Sequence, residues 1–396
     1  MGYAIVDGEV RFGRMLVDRA EAASFVPLGW GWGKDKACVY SYGCKVEGAK
    51  PKSFVALDAA FGRDAERVFG GAKALDADVA TFRTLGGGYG VDKRHGYYGE
   101  LRLGWLIACW TLETVDAATF ATRAYGWAVD GTHAYCAGEA VPDADPETLN
   151  PLTRRLASDG KRVFAGRRVI EGADAATFRA LDEHFGVDAK RAYFGDVITN
   201  VIEVADRDTF RSLGDDFAED HQYVYWHDNV LAGVAPQTMR PLSERFACTD
   251  TQVLYFYSGI HGTRRISGEL HGTKPIVLEG ADPTTFRDAG DLFGADAKRA
   301  WHHSTRVGLR GEASRFESIG VRLARDDVAV YYENEVVPGA KPATFAIVAP
   351  AGVARDGKRW YRYNAYGEYP MIQKSSADEA RAILDGEGED EGEYDD

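Results

Sequence analysis

The chain has 396 residues, 45% of them hydrophobic, and a formal charge of −14. That charge argues against a nucleic-acid partner, which would need a basic stripe, and no apolar run is long enough to cross a bilayer, so no membrane partner is expected. The start, MGYAIVDGEVRFG, has neither a positive segment nor an unbroken apolar stretch; no secretory signal is expected, and the expected compartment is the cytoplasm.

From the first residues onward an aspartate is followed five positions later by an aromatic: Asp7/Phe12, Asp35/Tyr40, Asp64/Phe69, Asp92/Tyr97, Asp130/Tyr135, Asp159/Phe164, Asp188/Tyr193, Asp220/Tyr225, Asp250/Tyr255, Asp296/Trp301, Asp326/Tyr331 and Asp356/Tyr361. A large apolar residue, usually after Thr or Ser, alternates with this pair at Phe25, Phe54, Phe82, Phe120, Leu149, Phe178, Phe210, Met239, Phe286, Phe316 and Phe345. Successive apolar markers lie 29, 28, 38, 29, 29, 32, 29, 47, 30 and 29 residues apart, a period near 29 with two long exceptions. About eleven units therefore occupy 1–372. Each is too small to bury its own apolar face, so neighbours must stack on a shared core. The repeated aspartates and rings are then scaffold, and function belongs where the array is irregular.

Taken in chain order, the array opens on a hairpin that lacks a preceding helix. Cys38 and Cys44 share the next hairpin and could pair, but five scattered cysteines read better as free thiols. GGGYG at 86–90 is a link between elements and lacks the G-K-[ST] ending of a phosphate loop. The first long spacing falls on 98–111, with Leu101, Leu103, Trp105, Leu106, Ile107 and Trp110: an extra core-covering strand or an exposed contact patch. Asp143 and Asp145 in VPDADPET do not complete a calcium loop, and Asp145 already serves as a cap.

Residues 172–202, GADAATFRALDEHFGVDAKRAYFGDVITNVI, show one whole unit. Asp174 in an N-cap position, with Phe178 and Leu181 one turn apart, predicts about two turns of helix. Pro51, Pro146, Pro236, Pro283 and Pro342 all sit one residue after the equivalent cap, where proline is tolerated because its missing N–H would have no partner. Phe185–Val187, a turn at Asp188, and Ala192–Phe194 read as a hairpin, and Val197 and Ile198 start a third short strand. His221, His227, His302 and His303 lie near turns without metal-ligand spacing, so no metal or other cofactor is expected. The second long spacing, 256–275, contains SGIHGTRRISGELHGTKP, a locally basic glycine-rich loop with His261, Arg264, Arg265, His271 and Lys274. Residues 373–384 offer a closing helix, and DGEGEDEGEYDD at 385–396 an acidic tail expected to be disordered.

The fold expected is thus mainly β with short helices, tandem units of β-hairpin plus short helix stacked as an open solenoid, with a closed propeller-like ring as the alternative. About 29 residues is short for a four-stranded propeller blade.

Asp35-Lys36 with Val39-Tyr40, Asp92-Lys93 with Tyr97-Tyr98, Asp326 with Tyr331-Tyr332, and the D-x-x-T-F segments at Asp116–Phe120 and Asp174–Phe178 resemble the bacterial DKNYY family over nearly the whole chain. Most units lack the asparagine of that name, so the resemblance carries over the repeat type alone. It implies no activity, cofactor or catalytic residue, and by analogy with proteins found beside secreted toxins it lends weight to an immunity role.

Neither a G-x-S-x-G motif nor a Cys/His nucleophile pair stands out, so no enzyme is expected. The function expected is non-enzymatic protein binding, in its sharper form an immunity protein occluding a basic toxin domain, with negative charge steering the partner. Trp105, Trp110, His261, Arg264, Arg265 and His271 on the two long loops are the contact candidates. A carbohydrate or surface-ligand binder is the alternative, and a hydrolase stands behind both.

Overall fold

The computed structural model describes residues 2–102, 106–112, 115–196, 199–256, 275–320, 322–349, 352–363 and 372–384. Among them lie twelve antiparallel sheets, eleven of four strands and one, at the N-terminus, of three. The chain divides into two compact units: the first holds Ala20–Glu244 with Tyr3, the second Ala4–Arg19 with the described residues of 245–384.

The unit around Asp188 shows how the sequence builds each sheet. Its strands are Arg179–Ala180, Phe185–Val187, Ala192–Gly195 and Thr199–Val201, hydrogen-bonded in that order. Asp188 closes the central hairpin: Oδ1 accepts the amides of Lys190 and Arg191 at 2.7 and 2.8 Å, and Oδ2 accepts the Tyr193 hydroxyl at 2.6 Å and the Asp174 amide at 3.0 Å. One carboxylate therefore joins its own turn, the ring five residues on, and the turn fourteen residues back. Asp35, Asp92, Asp130 and Asp220 make the same set of four bonds. Asp64, Asp159 and Asp296, which face Phe or Trp in place of Tyr, keep the three amides. All of these aspartates are buried, and satisfied donors are what make a buried carboxylate tolerable.

The apolar markers form the interior. Phe178 lies on Gly186 in the middle of the second strand, so close that a Cβ there would collide with the ring, and its centroid is 5.9 Å from that of Tyr193. Gly33 under Phe25, Gly62 under Phe54, Gly90 under Phe82 and Gly294 under Phe286 repeat the arrangement. The first large residue of each second strand then meets the next marker: Trp32–Phe54 at 5.2 Å, Phe61–Phe82 at 5.3 Å and Phe185–Phe210 at 5.8 Å in the first unit, Phe246–Phe286 at 5.5 Å and Phe293–Phe316 at 5.7 Å in the second. Within each unit a row of tilted and edge-on rings runs from sheet to sheet, the favoured geometry for aromatic packing.

Four expectations are corrected. The helix predicted after each cap is a single turn: Phe178 N bonds Asp174 O at 2.9 Å, and the next residue already enters a strand paired with Val187. Asp174 does cap, accepting the Ala176 amide and the Thr177 hydroxyl, but Phe178 must lie flat on Gly186, which pulls the chain into extended form and supplies a fourth strand. Four strands fit into about 29 residues because most have only two to four. Asp7 is exposed and shares with Gly8 a tight turn of positive φ, 51° and 77°, instead of the buried slot. Asp250 is displaced by Thr249, whose hydroxyl accepts the Gln252 amide at 3.0 Å, so Leu254 and not Tyr255 stands where the buried aromatic belongs.

In the second unit the N-terminal hairpin packs on the last sheet: Leu16 clusters with Ala346, Val348, Val353 and Ala380. Arg14 Nη2 lies 2.8 Å from Glu317, and Arg355 bonds Glu9. The helix Ala377–Leu384 opens with a reciprocal cap, the Glu379 amide on Ser376 Oγ at 3.1 Å and the Ser376 amide on Glu379 Oε2 at 2.9 Å.

Candidate functional site

Because the strands alternate in direction, the turn from first to second strand and the turn from third to fourth lie at the same end of each sheet. A backbone bond ties the two tips: Tyr42 N to Gly31 O at 2.7 Å, Gly71 to Ala60 at 2.9 Å, Gly166 to Arg155 at 2.7 Å, Gly195 to His184 at 2.8 Å and His227 to Asp216 at 2.9 Å. The tips need left-handed backbone, and Gly71, Gly87 and Gly166 supply it with φ of 55°, 62° and 55°. At other tips bulky residues adopt it instead: Trp30 at 49°, Tyr42 at 49°, Tyr125 at 57°, Asp216 at 65° and His227 at 56°. A side chain in that region costs about 1 kcal/mol or more relative to glycine, so these positions carry strain where glycine would be cheaper.

Within the first unit the tips fall into two stretches. From Gly29 to Gly138 they are aromatic or small apart from Asp58 and Arg123. Trp30 and Tyr125, both two residues before a buried tryptophan, are 60% and 57% exposed. Around them are glycines, Gly87 so close to Gly126 that a Cβ there would sit 3.0 Å from its Cα.

From Arg154 to Asp228 the tips are charged and bonded from sheet to sheet. Arg167 pairs with Glu139, and Arg155 with Asp196 at 2.5 Å. His184 pairs through Nδ1 with Asp216, whose other oxygen lies 3.6 Å from His227 Nε2. The His227 ring stacks on Phe194 at 4.9 Å, and Asn200 donates to Asp228 at 2.7 Å. Burial disfavours the charged imidazole of His184, but the Asp216 hydrogen bond outweighs it and the pKa is raised. Burial likewise opposes ionisation of Asp216, and the two imidazoles overcome it, holding the carboxyl well below its usual range. His184 Nε2 is buried without a hydrogen-bond partner among the described residues, so this cluster holds an acid between two rings with one ring nitrogen unspent.

Of the six contact candidates read from sequence, Trp105, His261, Arg264, Arg265 and His271 lie outside the described residues. Trp110 stands on a long hairpin, Gly96–Arg102 paired with Leu106–Leu112. It is half-buried, edge-on to Tyr98 at 5.2 Å, while the neighbouring Cys109 packs against Gly70, so this arm covers core. Sequence reading missed Trp30, Tyr125, His184 and Asp216 and set His227 aside as a histidine near a turn without metal-ligand spacing. The available signal was positional: non-glycine residues one or two places before the second strand, or two after the buried aromatic.

Among the described residues no group of three His, Cys, Asp or Glu could hold a metal ion, and no helix is long and apolar enough to cross a membrane. All five cysteines are free. No curated protein and no solved structure matches the chain. The DKNYY family model matches three times, over residues 9–101, 157–305 and 199–365, which together cover most of the chain. With the buried aspartate–tyrosine pair recurring sheet after sheet beneath those matches, the chain belongs to the DKNYY family of repeat proteins.

Proposed function

We propose that the protein is a non-enzymatic binding protein whose hairpin tips in the first unit engage another protein, in the sharper form an immunity protein that occludes the active site of a basic toxin. One observation carries the reading. The repeated acids and rings are consumed by the fold, while Trp30 and Tyr125 are held exposed in strained backbone that glycine would fill at lower cost. Local strain retained without a structural return is characteristic of functional positions. Exposed aromatics beside a charged stretch supply anchors and rim for a protein partner, and a charge of −14 steers a basic one. The two exposed rings over glycine also suit stacking on a sugar, which makes a carbohydrate binder the second reading.

The test separates function from folding. Trp30→Gly and Tyr125→Gly together should leave stability unchanged or raise it by up to about 1 kcal/mol in denaturant unfolding. They should also weaken capture of the partner recovered from source cells at least tenfold. A partner bound equally well by both proteins would overturn the assignment to the tips, and saturable binding on a glycan array, lost in the same variant, would favour the second reading.

A further inference from the structure

Among the tips of the first unit, Asp58 is an acid that the fold uses only by half. It turns the chain between the strands Val55–Ala56 and Phe61–Arg63, its Oδ1 accepting the amides of Ala60 and Phe61 at 2.9 and 2.8 Å. Asp182 holds the same turn in its own sheet through the amides of His184 and Phe185, and gives its Oδ2 to the hydroxyl of Ser212 in the following sheet. Thr84 occupies the place of Ser212, two residues past its marker and paired with the middle of the second strand, yet it makes no such bond. Asp58 Oδ2 therefore accepts nothing among the described residues. Burial holds this carboxyl above its ordinary range, against the pull of the two amides, and no described cation offsets that cost. A carboxylate so placed is stabilised by the arrival of a positive group.

The surroundings of that oxygen suit one kind of cation. Trp32 Nε1 donates to the Asp58 carbonyl at 2.8 Å, which brings the tip of the preceding sheet, Trp30 and Gly31, to the same place. The Tyr42 ring covers Gly31, so closely that a Cβ there would sit 2.6 Å from two of its carbons. Burial first, and then the Asp58 carboxylate, push the Tyr42 phenol upward, so phenol and acid share one neighbourhood. Trp30, adjacent to Gly31 in the chain, is 60% exposed, and its ring makes no hydrogen bond or ring contact with the described residues. A planar cation can lie against a ring while one of its N–H groups reaches a carboxylate, and a guanidinium does both where an ammonium is a compact, strongly hydrated charge. Because two amides already fill Asp58 Oδ1, the acid offers a single bond and the rings supply the rest.

We propose that Trp30, Tyr42 and Asp58 form the seat of an arginine side chain from the partner protein, its guanidinium against the rings and one N–H on Asp58 Oδ2. This rests on the reading that the tips engage a basic protein, and it names the contact toward which the negative charge steers that protein.

The tripeptide acetyl-Gly-Arg-Gly-amide, titrated into the full chain and followed at the Trp30 indole N–H and the Gly31 amide by proton–nitrogen correlation spectra, tests it. The expected result is a saturable shift of both signals. The citrulline peptide, of the same shape without the charge, should bind about tenfold more weakly, and the lysine peptide severalfold more weakly. Asp58→Asn keeps the oxygen that holds the turn and removes the charge, so the arginine peptide should bind it severalfold more weakly while the circular dichroism spectrum is unaltered. Trp30→Gly should abolish the shift at Gly31. Absence of a saturable shift, equal binding of the arginine and citrulline peptides, equal binding of the lysine peptide, or unchanged binding to Asp58→Asn would overturn the proposal. The probe is a peptide and not the partner, so the two readings fail separately. Peptide binding lost while Trp30→Gly with Tyr125→Gly still impairs partner capture sinks the arginine seat alone, and the reverse sinks the broader reading and with it the seat's assignment to a partner.

Discussion

At Asp188 a single carboxylate holds four donors, and its removal leaves three amides without that acceptor and the Tyr193 hydroxyl with only the Gly172 carbonyl, at 3.0 Å. Asp188→Ala should therefore lower the unfolding free energy at pH 7 by about 2–4 kcal/mol, since each orphaned buried donor costs about 1–3 kcal/mol and some will find water. Burial pushes the Asp188 carboxyl up, but the Tyr193 hydroxyl and the three amides pull it further down, to about 2. A carboxylate with a lowered folded pKa stabilises fully above its unfolded pKa, about 3.9, and loses that contribution as pH falls through the folded value. The gap between wild type and variant should accordingly narrow between about pH 4 and pH 2. Asp35, Asp64, Asp92, Asp130, Asp159 and Asp326 are shifted in the same direction, burial being outweighed by amides and, at Asp326, first by the Tyr331 hydroxyl, so acid should unfold the array steeply in that window. A gap that persists unchanged at pH 2 would contradict the bonding scheme.

One strand on, a ring packs on a small residue of the second strand, glycine at Gly186 and alanine at Ala128, Ala218 and Ala324. Gly186→Val should cost about 2 kcal/mol or more, because Phe178 has no room to yield between Gly186 and Tyr193. The corresponding Ala128 under Phe120 shows that alanine can be accommodated where the ring sits differently; Gly186→Ala should be the milder change in the same unfolding measurement. This is also where the sequence was most and least legible. The 29-residue period, the Asp slot and the Phe slot were readable because one packing solution is repeated, and repetition makes weak signals add. The helix was misread because an Asp cap followed by apolar residues one turn apart is also the beginning of a single turn, and the small residue beneath the marker ring, Gly186 under Phe178, goes with a chain that then straightens. Asp250 was misread because Thr249 does the aspartate's work, so the register slips by one residue and the faces exchange. The tips were illegible for the opposite reason: Trp30, His184 and Asp216 follow no period, since what they contact differs from sheet to sheet.

Across the whole molecule, the second compact unit is assembled from both ends of the chain, with Leu16 sealed among Ala346, Val348, Val353 and Ala380. Leu16→Ala should lower the stability of that unit by about 2–4 kcal/mol. Amide exchange would detect it first at Val353–Asp356 and in the helix Ala377–Leu384, and unchanged protection there would refute the packing role. Contacts closed over more than 300 residues of sequence, such as Arg14 with Glu317, also predict slow final folding, because the loop entropy is spent before the contact forms.

Leu16 leaves the ribosome ahead of all four of its packing partners, the nearest of which, Ala346, lies 330 residues further along the chain. Until then that leucine faces water or a chaperone, and the arrival of Ala380 completes its cover. A product cut short before Ala346 would keep this greasy flag on display and be open to proteases, so a contact closed across so much sequence gives the cell a way to tell a sealed array from a fragment.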